Sequence, residues 1–186
     1  MKNSGNFAFV IQKHKATQLH FDFRLEIGDT MPSWSIPKGP TRDPKQRRLA
    51  MVTSDHDMEY RDFEGVIVSG YGAGTVMIWD EGTFNPEIEI EKGVRKLIMD
   101  KIEGAEVLKE GLKKGELKFT LYGKKMHGSF ALVKTRGFGG KTETWLMIKH
   151  KDEFVQENYD AKADDISATT GRTMDEITND PKSKKL

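Results

Sequence analysis

The chain has 186 residues, with 30 Lys plus Arg against 29 Asp plus Glu, five His and no Cys. That length fits one domain of ordinary size. The missing cysteines exclude a disulfide framework, a zinc finger, a thiol nucleophile and an iron–sulfur cluster, leaving His and carboxylate as the available metal ligands. A formal charge of +1 excludes a polybasic coat for nucleic acid, although it leaves room for a local basic site.

Ten Phe and three Trp supply material for one core, and a charged fraction of 32% marks a polar surface. No window approaches the ~18 consecutive apolar residues of a membrane span. The start, MKNSGNFAFV, lacks the apolar stretch of a signal peptide, so a cytoplasmic protein without a membrane partner is expected.

In chain order, residues 7–14 alternate, with Phe7, Phe9 and Ile11 on one side and Ala8, Val10, Gln12 and His14 on the other. Residues 19–27 alternate without an error, placing Leu19, Phe21, Phe23, Leu25 and Ile27 opposite His20, Asp22, Arg24 and Glu26. Gly28 and Asp29 mark a turn. The stretch MPSWSIPKGP reads as irregular or edge structure, because proline cannot donate to a central ladder. A strand from Arg48 to Thr53 runs into the polar SDHD at 54–57, and further strands are expected at 75–80, 117–122, 129–134 and 144–149. Helical spacing is confined to 91–102 and 105–114. Residues 159–186 read as a mobile tail with a short helix at 173–178, so a domain over 1–158 is expected. The fold class this pattern predicts is mainly β with peripheral helices (α+β), a small closed β-barrel with the active site on its polar face.

His14, His20, Asp22 and Arg24 form an H-x5-H-x-D-x-R pattern on facing strand sides. Imidazole and carboxylate can hold a divalent cation, and a guanidinium offers a fork for phosphate. The competing reading is the solvated face of a half-buried strand. A third ligand is best supplied by His56, flanked by Asp55 and Asp57 with Tyr60 close behind; as a bare pattern, SDHDMEY also reads as a charged surface loop. Lys38 and Arg48 are the basic residues placed to meet an anion, and strand parity turns Arg48 the same way as His56. The glycines at 70, 72 and 74 have neither a Walker nor a Rossmann spacing and read as a tight bend into the next strand. His127 and His150 take structural roles by default.

The blocks FVIQKHKATQLHFDFRLEI, SWSIPKGP, DFEGVI, YGAGTVMIWDEGTF, HGSFALVKT and WLMIKHKDEF closely resemble the 3′-phosphoesterase domain of bacterial non-homologous end-joining DNA ligase D, here in a stand-alone form. The resemblance runs from about Phe7 to Phe154. It implies a small β-barrel and manganese-dependent removal of terminal ribonucleosides and phosphates from DNA 3′ ends, leaving a ligatable hydroxyl. Mn2+ is the implied cofactor, with other divalent transition metals as substitutes. A DNA primer-template end is the implied substrate, and a separate DNA ligase or polymerase of end joining the implied partner.

Matched motif to motif, His14, Asp22 and His56 fall on the family's metal ligands, and His20, Arg24 and Tyr60 on its essential residues off the metal. Gln12, Lys38 and Arg48 match further polar positions that affect activity. Only MKNSGN precedes Phe7 where the family has a longer charged arm, and Ser54 stands at a position that is usually acidic. The resemblance therefore implies the phosphatase step more directly than ribonucleoside removal. Two other readings stay open: a non-catalytic module that binds nucleic-acid ends, and a phosphomonoesterase for small molecules.

Overall fold

The computed structural model of the protein describes residues 5–136 and 142–186, so the first four residues of the MKNSGN start lie outside it. Strands β1 (Phe7–Lys15) and β2 (Leu19–Leu25) pair antiparallel, with Gln12 opposite Asp22 and His14 opposite His20. The chain continues through β3 (Met31–Ile36), β4 (Arg48–His56), a 3₁₀ turn over Met58–Asp62, β5 (Gly65–Ile67) and the 18-residue β6 (Gly74–Glu91). Then follow β7 (Val94–Leu97), helix α1 (Lys101–Lys114), β8 (Glu116–Gly123), β9 (His127–Lys134), β10 (Thr144–Lys149), α2 (Met174–Asn179) and β11 (Lys184–Lys185). The expected mainly β body with peripheral helices is what is found.

The strand order β1-β2-β3-β4-β10-β9-β8-β6 closes on itself, because β6 also pairs with β1. The alternation in β1 and β2 sends their apolar sides into this ring. There Phe9, Phe21, Phe23, Trp34, Trp79, Phe84, Phe119, Phe130 and Trp145 form the fully buried core. Edge-to-face pairs such as Phe21 with Trp79, 5.4 Å apart at 87°, suit the quadrupoles of the rings. Each such side chain contributes about 1.5–3 kcal/mol by leaving water. The opposite, polar side of β1 and β2 faces outward and carries the candidate site.

Three sequence expectations change. The stretch 31–36 is an internal strand between β2 and β4, and Pro32 is tolerated because the β3–β4 register shifts between Met31 and Ser33. Within 91–102, expected to be helical, Val94 and Leu97 instead pair with β6, opposite Glu91 and Glu87. The helix starts only after Asp100, whose side chain accepts from the amides of Ile102 and Glu103, and it ends at Gly115 with φ 79°.

Residues 159–186, expected to be a mobile tail, lie packed on the ring. Ala161, Met174 and Ile177 belong to the core. The buried Glu64 carboxylate accepts from Ile78 N, Ser167 Oγ, Thr170 Oγ1 and Arg172 Nη2. Lys13, on the inward side of β1, gives its ammonium to the Lys162 and Asp164 carbonyls and to Asp165. A buried charge needs such partners, and the composition of the segment does not reveal them. The expected short helix is present as α2, opened by a capping box between Thr173 and Glu176. No helix among the described residues is long and apolar enough to cross a membrane.

Candidate active site

The outward faces of β1 and β2 bring His14, His20 and Asp22 together, with one potential ligand atom of each within 4.8 Å of the others. His14 Nδ1 stands 3.8 Å from Asp22 Oδ2, and His20 Nε2 stands 3.6 Å from Asp22 Oδ1. Both gaps exceed a hydrogen bond, so two ring nitrogens and a carboxylate face one another without being closed on each other. The remaining nitrogen of each ring lies against a backbone carbonyl: His14 Nε2 at 2.8 Å from Gly72 O, and His20 Nδ1 at 3.0 Å from Gln18 O. A carbonyl can only accept, so these contacts put a proton on the outer nitrogen and, in the neutral ring, leave the inner one as a lone pair, the arrangement that orients imidazole ligands. The donor set fits a divalent transition metal.

The carboxylate dominates the local electrostatics. Burial pushes the Asp22 carboxyl up, but His14, His20 and the Arg24 charge outweigh it and hold the group well below the usual carboxylate range. The interaction with Asp22 raises His20 above its ordinary value against the opposing effect of burial.

Arg24, one step further along the same face, is buried, with each of its three nitrogens in one polar contact. Its Nε donates to Gln12 Oε1 at 2.7 Å, Nη2 to Asp22 Oδ2 at 3.2 Å, and Nη1 lies 3.0 Å from His56 Nδ1. Its guanidinium carbon sits 5.0 Å from the Tyr60 ring centre. Gln12 in turn donates its amide to the Tyr60 and Phe63 carbonyls, tying the 3₁₀ turn down over β1. Burial and the charge of Arg24 lower His56, whereas burial raises Tyr60.

His56 reaches this face through an irregularity. Met31 pairs with His56 but Ser33 with Thr53, so β4 carries one extra residue there and His56 turns to the side of Arg24. Arg48, expected on the same side, is the partner of Met147 and lies on the side of Ala50, which is in the core. Its Nη2 donates to Gln46 Oε1, while its Nε is buried without a partner among the described residues. Lys38 is exposed on the turn after β3, and no bond among the described residues links it to the cluster.

The structure thus gathers Gln12, His14, His20, Asp22, Arg24, His56 and Tyr60, and leaves Arg48 and Lys38 outside. It also redistributes two expected parts. His20, expected off the metal, stands in the ligand-like set, and His56, expected on it, is the partner of Arg24. The carbonyls of Gly72 and Gln18 went unnoticed in the sequence, since a backbone acceptor has no residue signature. The only hint was the run of glycines at 70, 72 and 74, which does form a bend, but one that also supports His14.

A cavity of about 460 Å³ opens beside His56, lined by Asp55, Asp57, Glu59, Tyr60 and Asp62 among others. That flank is strongly acidic.

Comparison with known proteins gives the family. Residues 12–134 match the family described as the DNA ligase D 3′-phosphoesterase domain. The chain is 40% identical over 151 residues to the multifunctional non-homologous end joining protein LigD of Pseudomonas aeruginosa, covering 81% of this chain and 16% of that protein. It is 37% identical over 153 residues to the protein of the same name from Mycolicibacterium smegmatis, covering 82% and 18%. It is 35% identical over 157 residues to the multifunctional non-homologous end joining DNA repair protein LigD of Mycobacterium tuberculosis, covering 84% and 17%. The chain therefore spans less than a fifth of the length of these relatives. On the family match and these identities, the chain belongs to the DNA ligase D 3′-phosphoesterase domain family.

Proposed function

We propose that the protein is a manganese-dependent phosphoesterase that processes DNA 3′ ends, removing terminal phosphates and ribonucleosides to leave a hydroxyl for ligation. The observation that carries this reading is the His14, His20 and Asp22 set lying against the Arg24–His56 pair. His14 Nδ1, His20 Nε2 and an Asp22 oxygen would hold the metal, which when bound supplies Lewis acidity toward a phosphate oxygen and lowers the pKa of water. Imidazole ligands favour manganese over magnesium, whose preferred shell is all oxygen.

The protein's own groups supply the rest. Arg24 is fixed by Gln12 and Asp22 and presents permanent positive charge where a phosphoryl group gains negative charge. When His56 Nδ1 accepts from Arg24, the proton of the neutral ring is on Nε2. Hydrolysis of a 3′-phosphate forms a P–O bond from water and breaks the bond to O3′, which must gain a proton. His56 Nε2 is suited to give it or to bind a phosphate oxygen. A separate ligase or polymerase of end joining would take over the hydroxyl end.

The test is a labelled primer-template with a 3′-phosphate, and a second with a terminal ribonucleotide, each with manganese, with magnesium and with chelator. Conversion with manganese that His14→Ala abolishes supports the reading. No conversion by the wild type under any of these conditions refutes it, and metal-free end binding in that case would favour a binding module.

A further inference from the structure

We propose that Tyr71 is a stacking platform for the nucleobase at the 3′ end being processed, a role that rests on the DNA-end reading above. Single exposed apolar residues are common on any surface, but the placement of Tyr71 is unusual in three ways. Its side chain is fully exposed, the most exposed large hydrophobic group among the described residues. It sits on a shaped support: Ala73 N donates to Gly70 O across Tyr71 and Gly72, and Gly72 has φ 87°, the hand required at the third position of a type II turn. And that support touches the site, because the Gly72 carbonyl is the acceptor for His14 Nε2. The Tyr71 Cα is thus one residue, about 3.8 Å, from the residue that orients a candidate metal ligand.

The strand order gives the direction of approach. The turn joins β5 to β6 on one flank of the β1–β2 pair and His56 ends β4 on the other, while the cavity at His56 extends along the 3₁₀ turn to Lys184 and Leu186, next to β5. Asp55, Asp57, Glu59 and Asp62 around His56 repel a phosphodiester backbone. The Tyr71 flank carries no acidic residue between 65 and 79, and the nearby Asp175 of α2 is ion-paired with Lys15 at 3.5 Å. A strand whose terminal phosphate meets Arg24 and the His14 set would therefore run out over Tyr71. Aromatic stacking accepts every base, so the platform confers grip on an end without sequence preference.

The experiment uses two primer-templates, one with a normal 3′-terminal nucleotide and one with an abasic terminal residue, both carrying the 3′-phosphate. Tyr71→Ala should raise KM about 5- to 10-fold on the first and leave it unchanged on the second, and Tyr71→Trp should restore it. Equal KM for wild type and Tyr71→Ala on the normal end, or equal loss on both ends, overturns the proposal. A second readout needs no turnover: terminal 2-aminopurine fluorescence in the presence of chelator. Quenching by wild type and Tyr71→Trp but not by Tyr71→Ala supports the platform even if no hydrolysis is seen, an outcome that would fault only the phosphoesterase reading. Hydrolysis without Tyr71-dependent quenching overturns the platform alone.

Discussion

Arg24 Nη1 lies 3.0 Å from His56 Nδ1, and because a guanidinium can only donate, this contact makes Nδ1 of the neutral ring an acceptor. The Ser54 carbonyl is 2.8 Å from the same nitrogen and is served only by a protonated Nδ1, so the two neighbours require opposite states of that atom. A proton on Nδ1 therefore breaks the contact with Arg24, and burial and the Arg24 charge lower His56. Lysine cannot reproduce the fork that serves Gln12, Asp22 and His56 at once. Arg24→Lys should lower 3′-phosphate hydrolysis by about 10²-fold or more, and the ¹⁵N shifts of His56 should show Nδ1 gaining a proton.

The redistribution of His20 and His56 has a direct calorimetric consequence. Titration of manganese into His20→Ala should show binding weakened by at least tenfold, as expected when a ligand is lost. His56→Ala should bind the ion with nearly wild-type affinity while losing activity. The opposite pattern would return His56 to the metal.

Gly72 acts through its backbone, so its substitution separates orientation from ligation. At φ 87° a side chain is strained, although an added Cβ would come no closer than 3.7 Å, to His14 Cε1. Gly72→Ala should cost about 1–2 kcal/mol of stability and, by displacing the carbonyl behind His14, weaken metal affinity about 10-fold. Urea unfolding and calorimetry on the same sample check both.

His150, directly after β10, shares a polar group with the buried Ser129 and Glu87. Its Nδ1 is 2.7 Å from Ser129 Oγ, which donates to Glu87 Oε2 at 2.9 Å. The serine proton is thereby committed to Glu87, so the ring must donate. Burial, then the Arg95 charge, lowers His150 below its ordinary value of 6.5. A depressed folded value means that the unfolded chain binds the proton more readily. The contribution to stability is therefore complete above the unfolded pKa and is lost as pH falls through the folded one. His150→Gln should be less sensitive than wild type to acidification from about pH 7.5 to about pH 5, read as the shift in urea midpoint.

Ile177, fully buried on α2, tests the packed C-terminal segment. Ile177→Ala should destabilise the whole domain by about 2–5 kcal/mol in a single unfolding transition. A free tail would tolerate the change without effect on the midpoint.

What could be read in the sequence was whatever has a period. Phe21, Phe23 and Leu25 against His20, Asp22 and Arg24 stated both the core side and the site side of β2, and the facing pattern of β1 supplied His14 and Gln12. Features set by a single irregularity or by backbone atoms were not legible. Parity placed Arg48 with His56, and one extra residue in β4 separated them. The apolar spacing of Val94 and Leu97 suits a helix as well as a strand, and pairing with β6 decided between them. The anchoring of the C-terminal segment depends on Glu64 and Lys13, charged residues whose partners lie about 100 or more positions away.

The closure of β6 onto β1 leaves β1 with no free edge, since it is hydrogen-bonded to β2 on one side and to β6 on the other. Sliding β1 by a single residue would exchange its faces, driving Gln12 and His14 into the aromatic interior and Lys13 out of its contacts with the C-terminal segment. Both neighbours would have to give way together for that to happen. The spacing of His14 from Asp22 is therefore held by the whole circumference of strands.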